Sequence, residues 1–97
     1  MKFEIGIPKA NIVSLLRSGG YHFQEEKENE MNFYRSLSPL NYPRFHIYLT
    51  KRKKVLVFNL HLDQKKPSYK GSPAHSAEYD GKLLKDEKER IKKILGL

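Results

Sequence analysis

Residues 45–63, FHIYLTKRKKVLVFNLHLD, contain two alternating runs that are joined by four consecutive cations at 51–54. Apolar residues occupy every second position in both runs, which is the pattern of a β-strand with one buried face, and the short polar join predicts a hairpin. With both apolar sets facing the core, the expected cross-strand pairs are Leu49 with Leu56, Ile47 with Phe58, and Phe45 with Leu60. This register places His46 opposite Asn59, and Arg44 opposite His61, on the other face of the sheet, with His61 diagonal to His46.

The rest of the chain predicts further strands and two helices around this hairpin. Before the hairpin, the pattern predicts a strand at 3–7 and then a helix that has Pro8 in its first turn and ends at Gly19-Gly20. Two further strands are predicted, one from residue 21 and one at 31–37, with a polar loop or hairpin tip at 24–30 between them. After the hairpin, we predict a long connection at 64–81 and a helix at 83–95. Helices that cover one face of an antiparallel sheet are the economical packing for this order. We therefore predict a single small α+β domain over residues 1–97, with an antiparallel sheet of three to five strands and two helices packed on one face.

The composition favours an anionic partner. The chain has 19 Lys and Arg against 11 Asp and Glu, a net charge of +8, and no cysteine. An excess of this size is typical of proteins that bind nucleic acid, whereas the absence of cysteine excludes disulfides, thiolate zinc sites and a cysteine nucleophile. No stretch resembles a signal peptide or a membrane span, so we expect a cytoplasmic protein that does not contact a membrane.

The leading hypothesis is a small basic nucleic-acid-binding protein, with RNA favoured over DNA. Phosphates relieve the repulsion between clustered cations and release counterions, and exposed aromatic rings stack on unpaired bases. The residues predicted to contact phosphates are Lys51, Arg52, Lys53, Lys54, Lys65 and Lys66, and those predicted to contact bases or sugar are Arg44 and Tyr48. The alternatives for the basic face are an acidic protein partner, or a solvated turn that discourages strand pairing.

The histidines of the central hairpin suggest two further hypotheses. An imidazole exchanges protons near neutral pH, so His46, with His61 as its partner, could act as general acid and base in a metal-independent ribonuclease. Alternatively, His61, Asp63 and His75 could bind a first-row metal ion in a hydrolase or sensor, because imidazole and carboxylate are suitable ligands. No organic cofactor is expected, since no phosphate-binding glycine loop is present. The pattern leaves open whether the protein is an enzyme, and it leaves the oligomeric state open.

Three segments of the chain resemble HicA-type toxins. Residues 15–21, LLRSGGY, resemble the end of that family's first helix, residues 45–48, FHIY, resemble its histidine-bearing strand, and residues 94–97, ILGL, are similar to its closing helix. The resemblance implies an α-β-β-β-α fold like that of double-stranded-RNA-binding domains. It also implies cleavage of mRNA by a histidine on a strand, which in this chain is His46.

Overall fold

The computed structural model describes residues 1–64, 77–78 and 81–97. Its elements, in chain order, are β1 (Lys2–Gly6), α1 (Ile12–Ser18), β2 (His22–Lys27), β3 (Glu30–Ser36), β4 (Arg44–Lys51), β5 (Val55–Asp63), β6 (Ala77–Glu78) and α2 (Lys82–Ile94). Most of the long connection predicted at 64–81 therefore lies outside the described residues.

The five longer strands form an antiparallel sheet in the order β1-β5-β4-β3-β2, and the short β6 pairs with β5 beyond the end of β1. Inward-facing residues of β1, β3, β4 and β5 form one core with Leu16 of α1 and with Leu84 and Ile91 of α2. This arrangement confirms the predicted α+β class with two helices and an antiparallel sheet. Among the described residues, neither helix is long enough to cross a membrane, since α1 has 7 residues and α2 has 13.

The core contains the apolar set that the alternation of the central hairpin predicts. Its members on that hairpin are Phe45, Ile47, Leu49, Leu56, Phe58, Leu60 and Leu62, all of which are buried. Phe58 stacks on Phe3 of the neighbouring β1, with 5.0 Å between the ring centroids. Because β4 and β5 lie in the middle of the sheet, their inward side chains contact both neighbouring strands and the helices, and they lose nearly all contact with water.

The predicted register of the central hairpin is wrong by two residues. Leu49 pairs with Phe58 and not with Leu56, and the same shift pairs Ile47 with Leu60 and Phe45 with Leu62. The Arg52 N–H donates to the Val55 carbonyl at 2.9 Å, so the turn is centred on Lys53-Lys54 and not one residue earlier. A shift of two residues keeps every side chain on its predicted face, because the side-chain period of a strand is two.

The polar segment 24–30, predicted as a loop or hairpin tip, is mostly strand. β2 runs to Lys27, and the turn itself is Glu28-Asn29, where Glu28 adopts a left-handed φ of 53°. All six residues of β2, which is the last strand in the sheet order, are exposed. Main-chain hydrogen bonds to β3 are sufficient to hold an edge strand, so its side chains need not be apolar, and the hydrophobic pattern does not detect it.

The first helix begins later than predicted. The Asn11 side chain accepts a hydrogen bond from the Ser14 N–H at 3.0 Å, so α1 begins at Ile12 and Pro8 lies before the helix. An asparagine at this position satisfies an otherwise unpaired N–H group of the first turn, which proline cannot do. The helix ends at Gly19, as predicted, and Gly20 follows with φ of 96°, a conformation that glycine adopts without steric cost.

A buried carboxylate on α2 joins both helices to the sheet. Glu87, 4% exposed, accepts hydrogen bonds from the Tyr21 hydroxyl at 2.6 Å and from the Arg90 guanidinium at 2.9 Å, and Arg35 of β3 lies 3.4 Å away. Arg90 also donates to the Gly19 carbonyl at 2.9 Å, at the end of α1. Burial alone would raise the pKa of Glu87, but the hydrogen bonds from Arg90 and Tyr21 and the nearby Arg35 charge outweigh it and lower the pKa. Burial and the adjacent Glu87 raise the pKa of Tyr21.

Candidate functional site

The face of the sheet opposite the helices carries polar and aromatic side chains in neighbouring rows. One row across β3, β4 and β5 is Tyr34, His46 and His61, and the adjacent rows are Asn32, Tyr48 and Asn59 on one side and Ser36, Arg44 and Asp63 on the other. These residues share a face because they are the alternate positions of strands whose other positions form the core. We call this surface the open face.

Three of these side chains converge at the centre of the open face. The Nδ1 atom of His46 lies 3.4 Å from one carboxylate oxygen of Asp63, and the Nε2 atom of His61 lies 3.2 Å from the other oxygen. The exposed fractions of the three side chains are only 12% for His46, 8% for His61 and 14% for Asp63. Backbone pairing explains the convergence, because His46 lies directly opposite His61, and Asp63 is two residues further along the same strand.

The Asp63 carboxylate is held in its ionised form. Burial would raise the pKa of Asp63, but hydrogen bonds from His46 and His61 outweigh burial and lower it below the usual range for aspartate. Arg44 is the residue opposite Asp63 in the register, yet its guanidinium lies 4.6 Å from the ring centroids of both Tyr34 and Tyr42. The negative charge of Asp63 is therefore directed at the two imidazoles.

A cleft of about 220 Å³ adjoins this cluster. Its lining residues are Gln24, Glu25, Asn32, His46 and Tyr48. The Asn32 side chain is buried, and neither its Oδ1 atom nor the Nε2 atom of His46 has a hydrogen-bond partner among the described residues. Gln24 is the extra residue of a bulge in β2, between the pairs that Phe23 and Glu25 make with β3. Bulges redirect side chains and occur frequently beside functional sites.

Stacked rings extend along the open face from the cluster. His46 stacks on Tyr48 with 4.5 Å between centroids, and His22 stacks on Tyr34 with a separation of 5.1 Å. The Arg44 guanidinium lies between Tyr34 and Tyr42. Because Tyr34, Arg44 and Tyr48 are only partly buried, this part of the open face presents ring and guanidinium surface to solvent.

The four cations at the end of the central hairpin are separate from the histidine cluster. Residues 51–54 are all exposed, and within the described part of the chain none of them forms an ion pair. His46 precedes Lys51 by five residues on β4, which corresponds to roughly 17 Å along an extended strand. The acidic turn of the β2–β3 hairpin lies at the same end of the sheet, where the Lys51 N–H donates to the Asn29 carbonyl at 3.2 Å.

The predicted site residues thus fall into three groups. The structure brings His46, His61 and Asp63 together, with Arg44 and Tyr48 beside them, and it places Lys51, Arg52, Lys53 and Lys54 at the far end of the same hairpin. Lys65, Lys66 and His75 lie outside the described residues, so their predicted roles stay predictions. The sequence reasoning did not assign Asn32, Tyr34, Gln24 or Glu25 to the site. Alternation in 31–37 could have placed Asn32 and Tyr34 on the open face, but no sequence signal marks the bulge at Gln24.

Comparison of this chain with protein-family models, with curated proteins and with solved structures finds no significant match to any of them. The resemblance to HicA-type toxins, and the mRNA cleavage that it implies, therefore stay predictions.

Proposed function

We propose that this protein binds single-stranded RNA on the open face of its sheet. The observation that carries the proposal is the ring system around Arg44, in which a guanidinium is held between Tyr34 and Tyr42 on a partly exposed sheet surface. Base stacking on aromatic rings contributes about 1–3 kcal/mol per base and tolerates any sequence. Arginine adds a permanent charge and N–H donors that suit phosphate or base edges.

Charge supports a polyanionic ligand that follows the central hairpin. The net charge of +8 attracts phosphates over the whole molecule, and the exposed cations at 51–54 have no competing ion pair among the described residues. An RNA strand that stacks near Arg44 and runs along β4 and β5 reaches these cations after roughly 23 Å. Each phosphate that is neutralised releases counterions, so the affinity should fall steeply as salt rises.

The cleft beside His46 supports RNA over DNA. The Asn32 Oδ1 atom is a hydrogen-bond acceptor and the His46 Nε2 atom is a donor or an acceptor, depending on the tautomer, and both lack a partner among the described residues. A ribose 2′-hydroxyl both donates and accepts, so its chemistry suits either of these two buried atoms. Deoxyribose offers neither interaction.

The test is fluorescence anisotropy with a labelled single-stranded RNA and the DNA of the same sequence, across a potassium chloride series. We expect tighter binding to RNA, a steep salt dependence, and a loss of about 5- to 150-fold in affinity for Tyr42→Leu. Lys53→Glu should weaken binding more than the matched control Lys85→Glu, an exposed position on α2 away from the open face. Binding that is indifferent to salt, or equal losses for the two Lys→Glu variants, would contradict the proposal.

The contact between His46 and Asp63 favours ribonuclease activity as a second candidate. Asp63 can accept a hydrogen bond from His46 Nδ1 at 3.4 Å, which would orient the ring and leave Nε2, the other nitrogen of this cleft-lining residue, as the general base for a 2′-hydroxyl. His61, whose ring centroid is 5.0 Å from that of His46, would act as the acid. With EDTA present, His46→Ala should abolish formation of 2′,3′-cyclic phosphate ends while RNA affinity stays within about threefold, and His22→Ala is the matched control. Absence of cleavage by the wild-type protein would contradict this candidate and leave RNA binding intact.

A further inference from the structure

The distances in the histidine–aspartate cluster match a metal site better than an ordinary ion pair. Charge-assisted hydrogen bonds between nitrogen and a carboxylate usually measure about 2.7–2.9 Å. The two contacts of Asp63 measure 3.4 Å from Oδ2 to His46 Nδ1 and 3.2 Å from Oδ1 to His61 Nε2. Zinc bonds to imidazole nitrogen and carboxylate oxygen are about 2.0–2.2 Å long, so neighbouring ligand atoms in a tetrahedral site are about 3.3–3.5 Å apart.

The ligand atoms of the cluster are also close enough together to bind one ion. One ligand atom from each of His46, His61 and Asp63 lies within 4.8 Å of the other two. A movement of about 1.5 Å by one imidazole brings the longest of these separations to the tetrahedral value. Asp63 supplies the negative charge that a cation requires, and Arg44 does not compete for it because the guanidinium lies on the tyrosine rings.

The sheet holds these ligands with little freedom. His46 and His61 are directly opposite each other on the two central strands, and both rings contact Tyr48, at 4.5 and 5.3 Å between centroids. Ligands on paired strands, with neighbouring rings that restrict their rotamers, lose little conformational entropy when an ion binds.

We propose that His46 Nδ1, His61 Nε2 and the Asp63 carboxylate bind one first-row divalent metal ion such as Zn²⁺. Two imidazoles and one carboxylate disfavour Mg²⁺ and Ca²⁺, which bind mainly oxygen ligands. Three protein ligands leave a position for water or substrate, as in catalytic and not in structural zinc sites. The proposal is independent of RNA binding. It competes with the metal-free ribonuclease candidate, because a metal on His46 Nδ1 leaves Nε2 protonated, so that it can donate but not accept a proton.

Isothermal titration of untagged, EDTA-stripped protein with Zn²⁺ tests the site directly. We expect one ion per chain, a rise in thermal midpoint that saturates at one equivalent, and, with Co²⁺, the strong visible absorption of a four- or five-coordinate ion. His46→Gln and Asp63→Asn should each weaken binding by more than about 100-fold, since loss of a direct ligand exceeds the 10- to 100-fold loss from outer-shell changes. His22→Gln is the matched control, because His22 is an exposed histidine on the same face that stacks on Tyr34 outside the cluster.

Three outcomes would overturn the metal proposal. These are the absence of wild-type binding tighter than millimolar, a Co²⁺ spectrum that stays that of the aqueous ion, and equal affinities for His46→Gln and His22→Gln. The wild-type titration decides the question even if a ligand variant does not fold, and circular dichroism identifies such a variant. RNA affinity that persists after EDTA treatment separates failure of this site from failure of the proposed RNA binding.

Discussion

Replacing Glu87 by glutamine should destabilise the protein far more than the same change at another glutamate of α2. The carboxylate of Glu87 is 4% exposed and accepts hydrogen bonds from the buried Tyr21 hydroxyl and from Arg90. A hydrogen bond to a charged group contributes about 1.5–3 kcal/mol, and removing one partner of a buried ion pair costs about 3–5 kcal/mol. The side chains of Arg35 and Arg90 are 25% and 37% exposed, so solvent screening reduces the stability that their interactions with Glu87 contribute.

These contributions give an expected loss of about 3 kcal/mol for Glu87→Gln, because glutamine keeps the shape and one acceptor of the side chain. A domain of this size has a free energy of unfolding of about 5–15 kcal/mol, so the variant loses a large share of it. The thermal midpoint should fall by roughly 12–24 °C. Glu89→Gln is the matched control, because Glu89 is 65% exposed and its contact with Lys92 measures 3.9 Å. It should lose less than about 0.5 kcal/mol.

The effect of Glu87→Gln should depend on pH in a definite direction. The pKa of Glu87 is lower in the folded protein than in the unfolded chain, so ionised Glu87 stabilises the fold at neutral pH. This stabilisation is lost as the pH falls below about 4.3, the ordinary glutamate value, and through the folded-state pKa. The difference between wild type and variant in urea unfolding should therefore be largest near pH 7 and should shrink in acid. Equal losses for Glu87→Gln and Glu89→Gln, or a difference that does not change with pH, would refute this reasoning.

Two more substitutions test the fold. Phe58→Ala removes a fully buried ring that stacks on Phe3. In urea titrations, this variant should lower the free energy of unfolding by about 3–5 kcal/mol. A loss below about 1 kcal/mol would mean that β1 does not lie against β5. Gly20→Ala should lower the free energy of unfolding by about 1–2 kcal/mol, because φ at this position is +96° and a methyl group would lie 3.2 Å from Arg35 Cδ. Gly6→Ala is the control, because a methyl group there would have no atom within 4 Å, and it should leave the free energy of unfolding nearly unchanged.

The fold class could be predicted from the sequence because hydrophobic alternation specifies which face of a strand is buried. Phe45, Ile47 and Leu49 occupy the core as expected, and their neighbours His46 and Tyr48 lie on the open face. The register between β4 and β5 was harder to predict. A shift of two residues leaves the same side chains buried and changes only which residue of β5 lies opposite each residue of β4. The four cations at 51–54 allow more than one turn, and the pattern does not choose between them.

The edge strand and the first helix illustrate two other limits of sequence reasoning. β2 carries no buried side chain, so its strand conformation depends on hydrogen bonds to β3 that the apolar pattern does not encode. The start of α1 depends on one hydrogen bond that the Asn11 side chain accepts from the Ser14 N–H, whereas proline at position 8 is compatible with several local structures. In both cases hydrogen bonds made by main-chain N–H groups determined the result, and hydrophobicity did not.

By itself, the sequence determined the α+β class, the inward set of the central hairpin and the presence of histidines and Asp63 on its polar face. Only the tertiary structure decided that His46 lies directly opposite His61, that Asp63 contacts both rings, and that the cations at 51–54 are far from this cluster. The physical reason is that alternation is a local property with a period of two residues. The distance between two polar side chains depends instead on the register between strands, which the turn geometry and the packed core set together.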